Sequence, residues 1–431
     1  MIALFWHRRD LRIHDNAGLH KALLSGQIIQ PVFIFDSTIL AQLPRNDQRV
    51  VFIHQELEKL KNKYQEHGAD LIVRYGDPKE LIPALVREFN ATTVYTNRDY
   101  EPYARERDEY LFKALNEQQA ELIGSKDHVV FEKNEVLKND GTPYTVFTPY
   151  SRKWREKLGE YGLSTYPAEN YLDKLNPIHP EKLIDLREMG FSVKQTFDFP
   201  SREIPKKIIS TYNETRDLPA IKGTSKLSLH LRFGTISIRE LAQTAQKENQ
   251  TYLNELIWRD FYQMIIYHFP HSAKDAFRKQ YDRIEWEKNE EHYTAWCEGK
   301  TGYPLVDAGM RELNSTGFMH NRVRMVVASF LTKHLLLDWR LGEAYFAEKL
   351  LDFELASNVG GWQWAAGCGC DAAPYFRVFN PTSQQEKFDK EFTYIKKWVP
   401  EFGTNKYPAP IVEHKMARER AIARYKQALS E

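Results

Sequence analysis

The chain of 431 residues is 42% hydrophobic and 28% charged, which leaves room for roughly two or three domains with buried cores and excludes a chain that is disordered throughout. Lys and Arg number 60 against 59 Asp and Glu, so the net charge of +1 excludes a uniformly basic nucleic-acid-coating protein but permits a local basic patch. Three cysteines are too few for a disulfide scaffold and favour the cytoplasm, and no apolar stretch approaches the ~18 residues of a membrane span.

Residues 1–130 alternate short apolar runs with helical patterns, which predicts an α/β domain with a doubly wound parallel sheet. No Gly-x-Gly-x-x-Gly follows the first apolar run, so a dinucleotide-binding fingerprint is absent there. The predicted strands are Ile2–Trp6, Ile29–Phe35, Leu71–Tyr75 and Thr93–Thr96, and the predicted helices are Asn16–Ser25, Asp47–His67, Lys79–Phe89 and Arg105–Gln119.

Residues 131–205 lose this rhythm and carry several turn signals, so we predict a long linker that runs over the surface with short helices. Residues 206–431 read as a second, all-α domain, because strand signals nearly vanish and helical periodicity dominates. Its clearest predicted helices are Leu253–Tyr267, Met319–Leu337 and Glu413–Leu429.

Two segments of the helical domain combine polar and aromatic side chains in a pattern typical of a ligand pocket. Gly223–Ser228 places hydroxyls at the start of a helix, where they can cap the helix or seat a phosphate. On the next helix Glu255, Trp258, Arg259 and Tyr262 share one face, which suits a pocket that stacks a flat ring and binds its polar edge. The alternative interpretation of that face is an exposed stripe with one partly buried tryptophan.

Two further segments add carboxylates, amides and indoles. Asn321, Arg324 and Met325 fall on one helix face, and Arg324 can pair with a carboxylate such as Asp352. The segment from Asp352 to Trp364 contains two carboxyls, an amide, two glycines and two indoles. We predict no metal site: His320 reads as a structural histidine, and a Cys-x-Cys without a second pair does not make a zinc site.

Three motifs identify a family: Met319–Arg322, Gly360–Ala366, and Asp371–Arg377 followed by Phe379–Pro381. Together with Trp6–Arg12 they resemble the photolyase/cryptochrome family, most closely its class I cyclobutane pyrimidine dimer DNA photolyases. The resemblance implies a monomer that binds UV-damaged DNA and holds reduced FAD in its C-terminal helical domain. The implied FAD-binding residues are Tyr212, Thr224, Ser225, Lys226, Leu227, Ser228, Arg259, Arg324, Asp352, Glu354 and Asn358.

The resemblance also implies how the site works. Glu255 stabilises charge on a base carbonyl, and Asn358 lies against the flavin ring nitrogen that carries a proton in the reduced state. Family members often have Asp where Glu354 stands, and Glu keeps the acceptor. The residues implied to contact the flipped lesion or its flanking DNA are Arg216, Glu255, Trp258, Asn321, Arg322, Met325, Trp364 and Gln384.

A second aromatic set, Trp286, Trp339 and Trp362, is implied to carry electrons to oxidised flavin, although three core tryptophans would give the same residues. The family often binds an antenna chromophore. The Asn-Glu pair of its folate-binding members is absent from residues 99–108, so deazaflavin, flavin and no antenna all stay open, with folate disfavoured.

Three alternatives compete with dimer repair. A cryptochrome-type blue-light receptor would use the same FAD pocket, but the implied lesion-contacting set is complete. A (6-4) photolyase would carry a His pair near His320 and Asn321, and Asn321 favours the cyclobutane lesion. A flavin oxidoreductase would need a nicotinamide site, for which the sequence gives no signal.

Overall fold

The computed structural model describes residues 1–430, which divide into two compact units. Each unit is assembled from three separate stretches of the chain. The first comprises Met1–Val136, Lys153–Glu203 and Lys226–Lys247, and the second comprises Leu137–Arg152, Ile204–Ser225 and Glu248–Glu431. The two units do not begin or end at residues 130 and 205, where the sequence predicted domain boundaries. Those boundaries stay a prediction.

The first unit is built on a five-stranded parallel sheet of order β3-β2-β1-β4-β5, as the predicted doubly wound architecture requires. Its strands alternate with helices whose first turns are capped by Asn16, Asp36, Asp47 and Asp77. The elements are β1 (Ile2–His7), α1 (Ala17–Leu23), β2 (Ile28–Asp36), α2 (Ser37–Leu40), α3 (Gln48–Gln65), β3 (Ile72–Gly76), α4 (Pro78–Glu88), β4 (Ala91–Asn97), α5 (Pro102–Glu117) and β5 (Glu121–Ser125).

Polar side chains fill the carboxyl edge of the sheet between β1 and β4, where the strand order reverses. Asn97 donates from Nδ2 to Asp10 at 2.6 Å and to Asn16 at 2.8 Å, and its Oδ1 accepts from the backbone nitrogen of Gly18 at 2.9 Å. Parallel sheets usually bind ligands at such a reversal point. Here the side chains satisfy one another's hydrogen bonds.

The segment predicted as a surface linker with short helices, residues 131–205, contains one longer helix, the 15-residue α6 (Phe147–Tyr161). Trp154 on this helix is fully buried and packs edge-on against Phe131, with 5.3 Å between ring centroids. Trp154 therefore fixes this part of α6 to the core of the first unit, while the opposite face of the helix remains exposed.

All later elements among the described residues are helical, as predicted. The α-helices are α7 (Lys206–Ser210), α8 (Tyr212–Thr215), α9 (Ser228–Phe233), α10 (Ile238–Glu248), α11 (Gln250–His268), α12 (Glu290–Glu298), α13 (Pro304–Thr316), α14 (Asn321–Ser329), α15 (Trp339–Lys349), α16 (Leu355–Ala366), α17 (Pro381–Phe388), α18 (Thr393–Trp398) and α19 (His414–Ser430). Short 3₁₀ turns cover Ala168–Lys174, Pro270–Ala273 and Lys279–Arg283, and Phe330–His334 is a π-helical turn.

The π-helical turn corrects a second prediction, since the continuous helix expected over Met319–Leu337 changes geometry after Ser329. His320 caps α14 by accepting from the backbone nitrogen of Arg322. The core of the second unit packs α13, α14, α15 and α16 around buried side chains such as Trp296, Val327 and Phe330. Between residues 1 and 430 no helix combines the length and apolar character that a membrane crossing needs.

Candidate functional site

Helix α11 carries Glu255, Trp258, Arg259 and Tyr262 on one face, as predicted from sequence. The first of these residues, Glu255, forms an ion pair. Glu255 Oε1 lies 2.5 Å from Arg216 Nη1, and neither side chain is fully buried. Burial raises the pKa of Glu255, and the Arg216 guanidinium opposes that rise. Two residues predicted to bind substrate therefore bind each other in the protein alone.

A second ion pair stands beside the first. Arg322 Nη2 lies 2.7 Å from Asp217 Oδ1, and Asp217 is also 4.0 Å from Arg216 Nε. The guanidinium of Arg322 lies over the Phe388 ring at 4.3 Å, which fixes its plane. Asp217 was not predicted as a site residue.

Trp258 is stacked face to face on Phe147, with ring centroids 3.6 Å apart and planes 3° apart. The backbone nitrogen of Phe147 donates to Asp371 Oδ2 at 3.0 Å, so Asp371 of the family motif holds this ring in place. Phe147 is buried, whereas Trp258 is half-buried. One face of the indole is therefore covered by Phe147, a residue that the sequence did not mark.

Tyr262 lies against Gly360 of α16, where an added Cβ would come within 2.3 Å of the tyrosine ring. This contact explains one glycine of the Gly-Gly pair, because only a residue without a side chain lets α16 approach so closely. Trp258 precedes Tyr262 by one turn of α11, and Trp364 follows Gly360 by one turn of α16. Both predicted lesion-contacting indoles thus lie on this packed pair of helices.

Two Arg–carboxylate pairs order the segment that precedes α16. Arg259 Nη2 lies 2.8 Å from Glu354 Oε1, and Arg324 Nη2 lies 3.0 Å from Asp352 Oδ2. The pairing of Arg324 with Asp352 confirms the interpretation from sequence. Glu354 also accepts from the Ser357 hydroxyl at 3.0 Å, so both carboxylates are oriented by more than one bond where α16 begins.

Asn358 is held by Glu343, which the sequence did not predict. The amide Nδ2 donates to the backbone oxygen of Glu343 at 3.1 Å and to its Oε1 at 2.9 Å. Burial raises the pKa of Glu343, while the Asn358 bond lowers it. With both amide hydrogens engaged, Asn358 Oδ1 is left as an acceptor with no partner within residues 1–430.

The predicted phosphate seat is an irregular segment that leads into α9, whose N-cap is Leu227 and has no side-chain capping bond. Ser225 Oγ lies 2.8 Å from the hydroxyl of Tyr252, and Tyr252 packs edge-on against Tyr212 at 5.0 Å. Lys226 has φ +54°, a left-handed backbone conformation.

The remaining predicted DNA-contacting residues are partly or fully exposed. Asn321 is exposed at the start of α14, with its amide 4.0 Å from the sulfur of Met325 one turn later. Gln384 is half-buried on α17, and the Trp364 ring lies 6.4 Å from Phe379. These side chains are accessible to a ligand from solution.

The three tryptophans of the predicted electron path belong to the core of the second unit. Trp339 and Trp362 are 2% exposed, and the half-buried Trp286 packs against the same core. The ring of Trp362 lies 5.0 Å from Phe346, and that of Trp286 lies 5.9 Å from Tyr425. Core packing therefore accounts for their positions, and their role in electron transfer stays a prediction.

No group of three or more His, Cys, Asp or Glu side chains in the described part of the chain is arranged to hold a metal ion. Cys368 and Cys370 are buried free thiols, as interpreted from sequence, and burial raises the pKa of each to about 12.

Two family models match the chain: residues 3–169 match DNA photolyase, and residues 252–405 match the FAD binding domain of DNA photolyase. A deoxyribodipyrimidine photo-lyase from a Synechococcus species is 37% identical, over 98% of this chain and 96% of that protein. The matches cover both compact units.

Three solved structures share the fold. A class III photolyase from Agrobacterium tumefaciens is 32% identical with a TM-score of 0.87, over 100% of this chain and 98% of that one. An archaeal photolyase from Sulfolobus tokodaii with two FAD molecules is 34% identical with a TM-score of 0.81, over 99% and 100%. A Synechocystis cryptochrome is 27% identical with a TM-score of 0.85, over 98% of each chain. From its sequence, its fold and its FAD-binding-domain match, this chain belongs to the photolyase/cryptochrome family.

Proposed function

We propose that this protein is a light-dependent DNA repair enzyme that splits cyclobutane pyrimidine dimers with reduced FAD. The observation that carries the proposal is the face of α11, where Glu255, Trp258 and Arg259 each meet a different partner and offer a carboxyl, an indole and a guanidinium. The indole can stack on a flat lesion and the carboxyl can bond its polar edge, while the guanidinium is proposed to face the cofactor. The names of the curated relatives support the same reaction.

The donor and acceptor set fits FAD. Asn358 Oδ1 has no partner in the described chain, and Glu343 holds the amide so that an acceptor is presented to a ring N–H. Arg259 and Arg324, which pair with Glu354 and Asp352, would contact the bound cofactor together with these carboxylates. The proposed FAD-binding residues are Arg259, Arg324, Asp352, Glu354 and Asn358, together with Tyr212, Thr224, Ser225, Lys226, Leu227 and Ser228.

When bound and reduced, FAD supplies a photoexcited electron donor strong enough to open the cyclobutane ring, with the electron returned afterwards. The protein supplies position and hydrogen bonds. Trp258, backed by Phe147, and Trp364 form walls around a lesion turned out of the duplex, and Met325 packs against it. A dimer stacks and pairs poorly, so turning it out costs less than turning out intact bases.

Polar side chains complete the lesion pocket. Glu255 and Asn321 hydrogen-bond the base edges, and Glu255 stabilises charge on a base carbonyl. Arg216, Arg322 and Gln384 contact the flanking strand, and the two arginines provide the salt-dependent part of the affinity.

The deciding experiment combines an absorption spectrum of the purified protein with dimer loss from UV-irradiated DNA, measured in blue light and in the dark. We expect a flavin spectrum and loss of dimers only in the light. Glu255→Ala should lower the repair yield per photon without releasing FAD, and Glu348→Ala, an exposed glutamate on α15, is the matched control. Equal dimer loss in the dark would contradict the proposal.

A cryptochrome-type photoreceptor is the second candidate, favoured by the likeness to the Synechocystis cryptochrome. It predicts the flavin spectrum without dimer loss in either condition. A (6-4) photolyase would instead repair only DNA carrying (6-4) photoproducts, so separate substrates with each lesion distinguish the two repair activities.

We further propose that the protein is a cytoplasmic monomer. A second, antenna chromophore is compatible with the family, and the Sulfolobus tokodaii photolyase holds two FAD molecules. An action spectrum of repair tests whether an antenna is present, because an antenna adds absorption at wavelengths where flavin alone absorbs weakly.

A further inference from the structure

Four charged side chains form one alternating row in the second unit. Glu255 pairs with Arg216 at 2.5 Å, Arg216 lies 4.0 Å from Asp217, and Asp217 pairs with Arg322 at 2.7 Å. The formal charges cancel along the row. Both arginines, which DNA phosphates could bind, are thus held by carboxylates of the protein itself.

The row remains open to solvent. The exposed fractions of the side chains are 31% for Glu255, 28% for Arg216, 41% for Asp217 and 18% for Arg322. Ion pairs that are open to solvent are weak, so a phosphate can displace a carboxylate from either arginine at small cost. A duplex offers one phosphate charge per about 1.7 Å of helix axis, so it competes well for both.

Arg216 is the cation that pairs with Glu255. The other groups whose charge bears on it are Asp217, which is acidic, and three tyrosines that stay neutral because burial raises the pKa of each: Tyr212, Tyr252 and Tyr262. Arg259, one turn further along α11, is engaged by Glu354. If Arg216 leaves, Glu255 loses its counter-ion while the negative charge of Asp217 still acts on it, which favours the protonated form of Glu255.

We propose that Arg216 exchanges partners when damaged DNA binds: its guanidinium moves from Glu255 to a backbone phosphate, and Glu255 takes up one proton from solvent. This inference rests on the proposed repair function. It gives Arg216 two roles, a phosphate contact in the complex and a counter-ion that keeps Glu255 ionised in the free protein.

The proton changes what Glu255 can do at the lesion. A carboxylate only accepts hydrogen bonds, and pyrimidine carbonyl oxygens also only accept, so the ionised side chain cannot bond them. A protonated carboxyl donates one hydrogen bond to a base carbonyl and can stabilise negative charge that develops there. The exchange therefore converts Glu255 from a partner of the protein into a donor to the substrate.

The experiment is a titration in darkness of a fluorescent duplex containing one thymine dimer, repeated from pH 5.5 to 8.5 at constant ionic strength. Uptake of one proton makes the Kd rise with pH, approaching tenfold per pH unit between the pKa of Glu255 in the free protein and its higher pKa in the complex. For Glu255→Gln, which carries the donor at every pH, we expect the Glu255-dependent slope to vanish and the Kd to stay near the low-pH value of the wild type.

Two further variants separate this exchange from general charge effects. Arg216→Gln should bind more weakly, lose the Glu255-dependent pH slope and show a salt dependence smaller by about one phosphate contact. Arg311 pairs with Glu401 at 2.7 Å, and this ion pair is about as exposed as that of Arg216. Arg311→Gln removes it and should keep the wild-type dependence of Kd on pH. Equal pH slopes for wild type and Glu255→Gln overturn the inference. If light-dependent repair persists in that case, the proposed function stands without it.

Discussion

Asn358 gives both hydrogens of its amide to Glu343, one to the backbone oxygen at 3.1 Å and one to the carboxyl Oε1 at 2.9 Å. The two bonds join α16 to α15 and use the amide hydrogens, so that Asn358 Oδ1 is left to accept a hydrogen bond. In the proposed enzyme that oxygen would accept a hydrogen bond from the protonated ring nitrogen of reduced flavin, and Glu343 would decide which atom of the amide is available to the cofactor.

Replacing Glu343 should therefore alter the cofactor without removing it. In Glu343→Ala one of the two bonds is lost, the amide can rotate, and its NH₂ group can face the flavin. We expect FAD to stay bound and the reduced form to be oxidised by air several-fold faster, followed by flavin absorbance. Glu348→Ala on the same helix serves as the control, and equal oxidation rates would show that Glu343 does not orient the amide.

The stack of Trp258 on Phe147 predicts an effect on lesion binding. Phe147→Leu removes the flat surface 3.6 Å from the indole, so Trp258 gains rotational freedom that a bound lesion must take away. We expect about tenfold weaker binding of dimer-containing DNA, equivalent to about 1.4 kcal/mol, with FAD retained. Phe112→Leu, at an exposed position of α5, should leave the affinity unchanged.

The glycine pair of α16 allows a matched test within two consecutive residues. A Cβ at Gly360 would lie 2.3 Å from the Tyr262 ring, whereas nothing lies within 4 Å of a Cβ at Gly361. Gly360→Ala should lower the free energy of unfolding by about 1–3 kcal/mol through overpacking. Gly361→Ala should raise it by about 0.5–1 kcal/mol, because alanine restricts the unfolded chain.

Urea titration of both glycine variants gives the comparison. A loss of stability at Gly361 equal to that at Gly360 would contradict the packing account. Because Tyr262 lies on the proposed lesion-binding helix, Gly360→Ala should also reduce repair, whereas Gly361→Ala should not.

Lys333 predicts a pH dependence of stability. Its Nζ is buried, donates to the Ala366 oxygen at 2.9 Å and lies 3.5 Å from the centre of the Tyr425 ring, and burial lowers its pKa from 10.5 to about 7. Between these two values the unfolded chain binds a proton that the folded protein does not. The free energy of unfolding should thus rise with pH, by up to about 1.4 kcal/mol per pH unit, and the benefit should be lost as the pH falls to 7.

Lys333→Met removes this titration. The difference in urea midpoint between wild type and variant should shift in favour of the wild type as the pH rises from 7 to 9. A difference that stays constant with pH would mean that Lys333 keeps its ordinary pKa in the folded protein.

Trp339→Phe separates cofactor reduction from repair. The variant should lose light-driven reduction of oxidised flavin, because phenylalanine is far harder to oxidise than tryptophan. It should repair dimers normally once the flavin is reduced chemically. Normal photoreduction in this variant would remove Trp339 from the proposed electron path and leave it a core residue, 2% exposed.

Local patterns in the sequence were sufficient for most of the fold. The predicted strands were recognised because their side chains are buried in continuous apolar runs, as in β1 and β2. The edge strand β5 was missed, since Glu121–Ser125 is mostly half-exposed and contains a glycine. Helix α11 was predicted well because its periodicity continues over 19 residues from a capping Asn249.

The site residues were predictable where helical spacing or a family motif places them together. Glu255, Trp258 and Arg259 are spaced so that any helix places them on one face, and Arg324 was matched to Asp352 through the motif. Phe147 and Asp217 were missed because their partners, Trp258 and Arg322, lie 111 and 105 residues away in the sequence, and no local spacing encodes such contacts.

The alternation of the chain between its two compact units limits how the molecule can be divided. Any single cut between residues 1 and 430 separates parts of at least one unit. A fragment limited to the FAD-binding match, residues 252–405, would omit Phe147, which backs Trp258, and Arg216, which pairs with Glu255. Gene fragments cut at the borders of the family models would therefore lack part of the pocket, and exchange of modules between relatives would require joints at several positions.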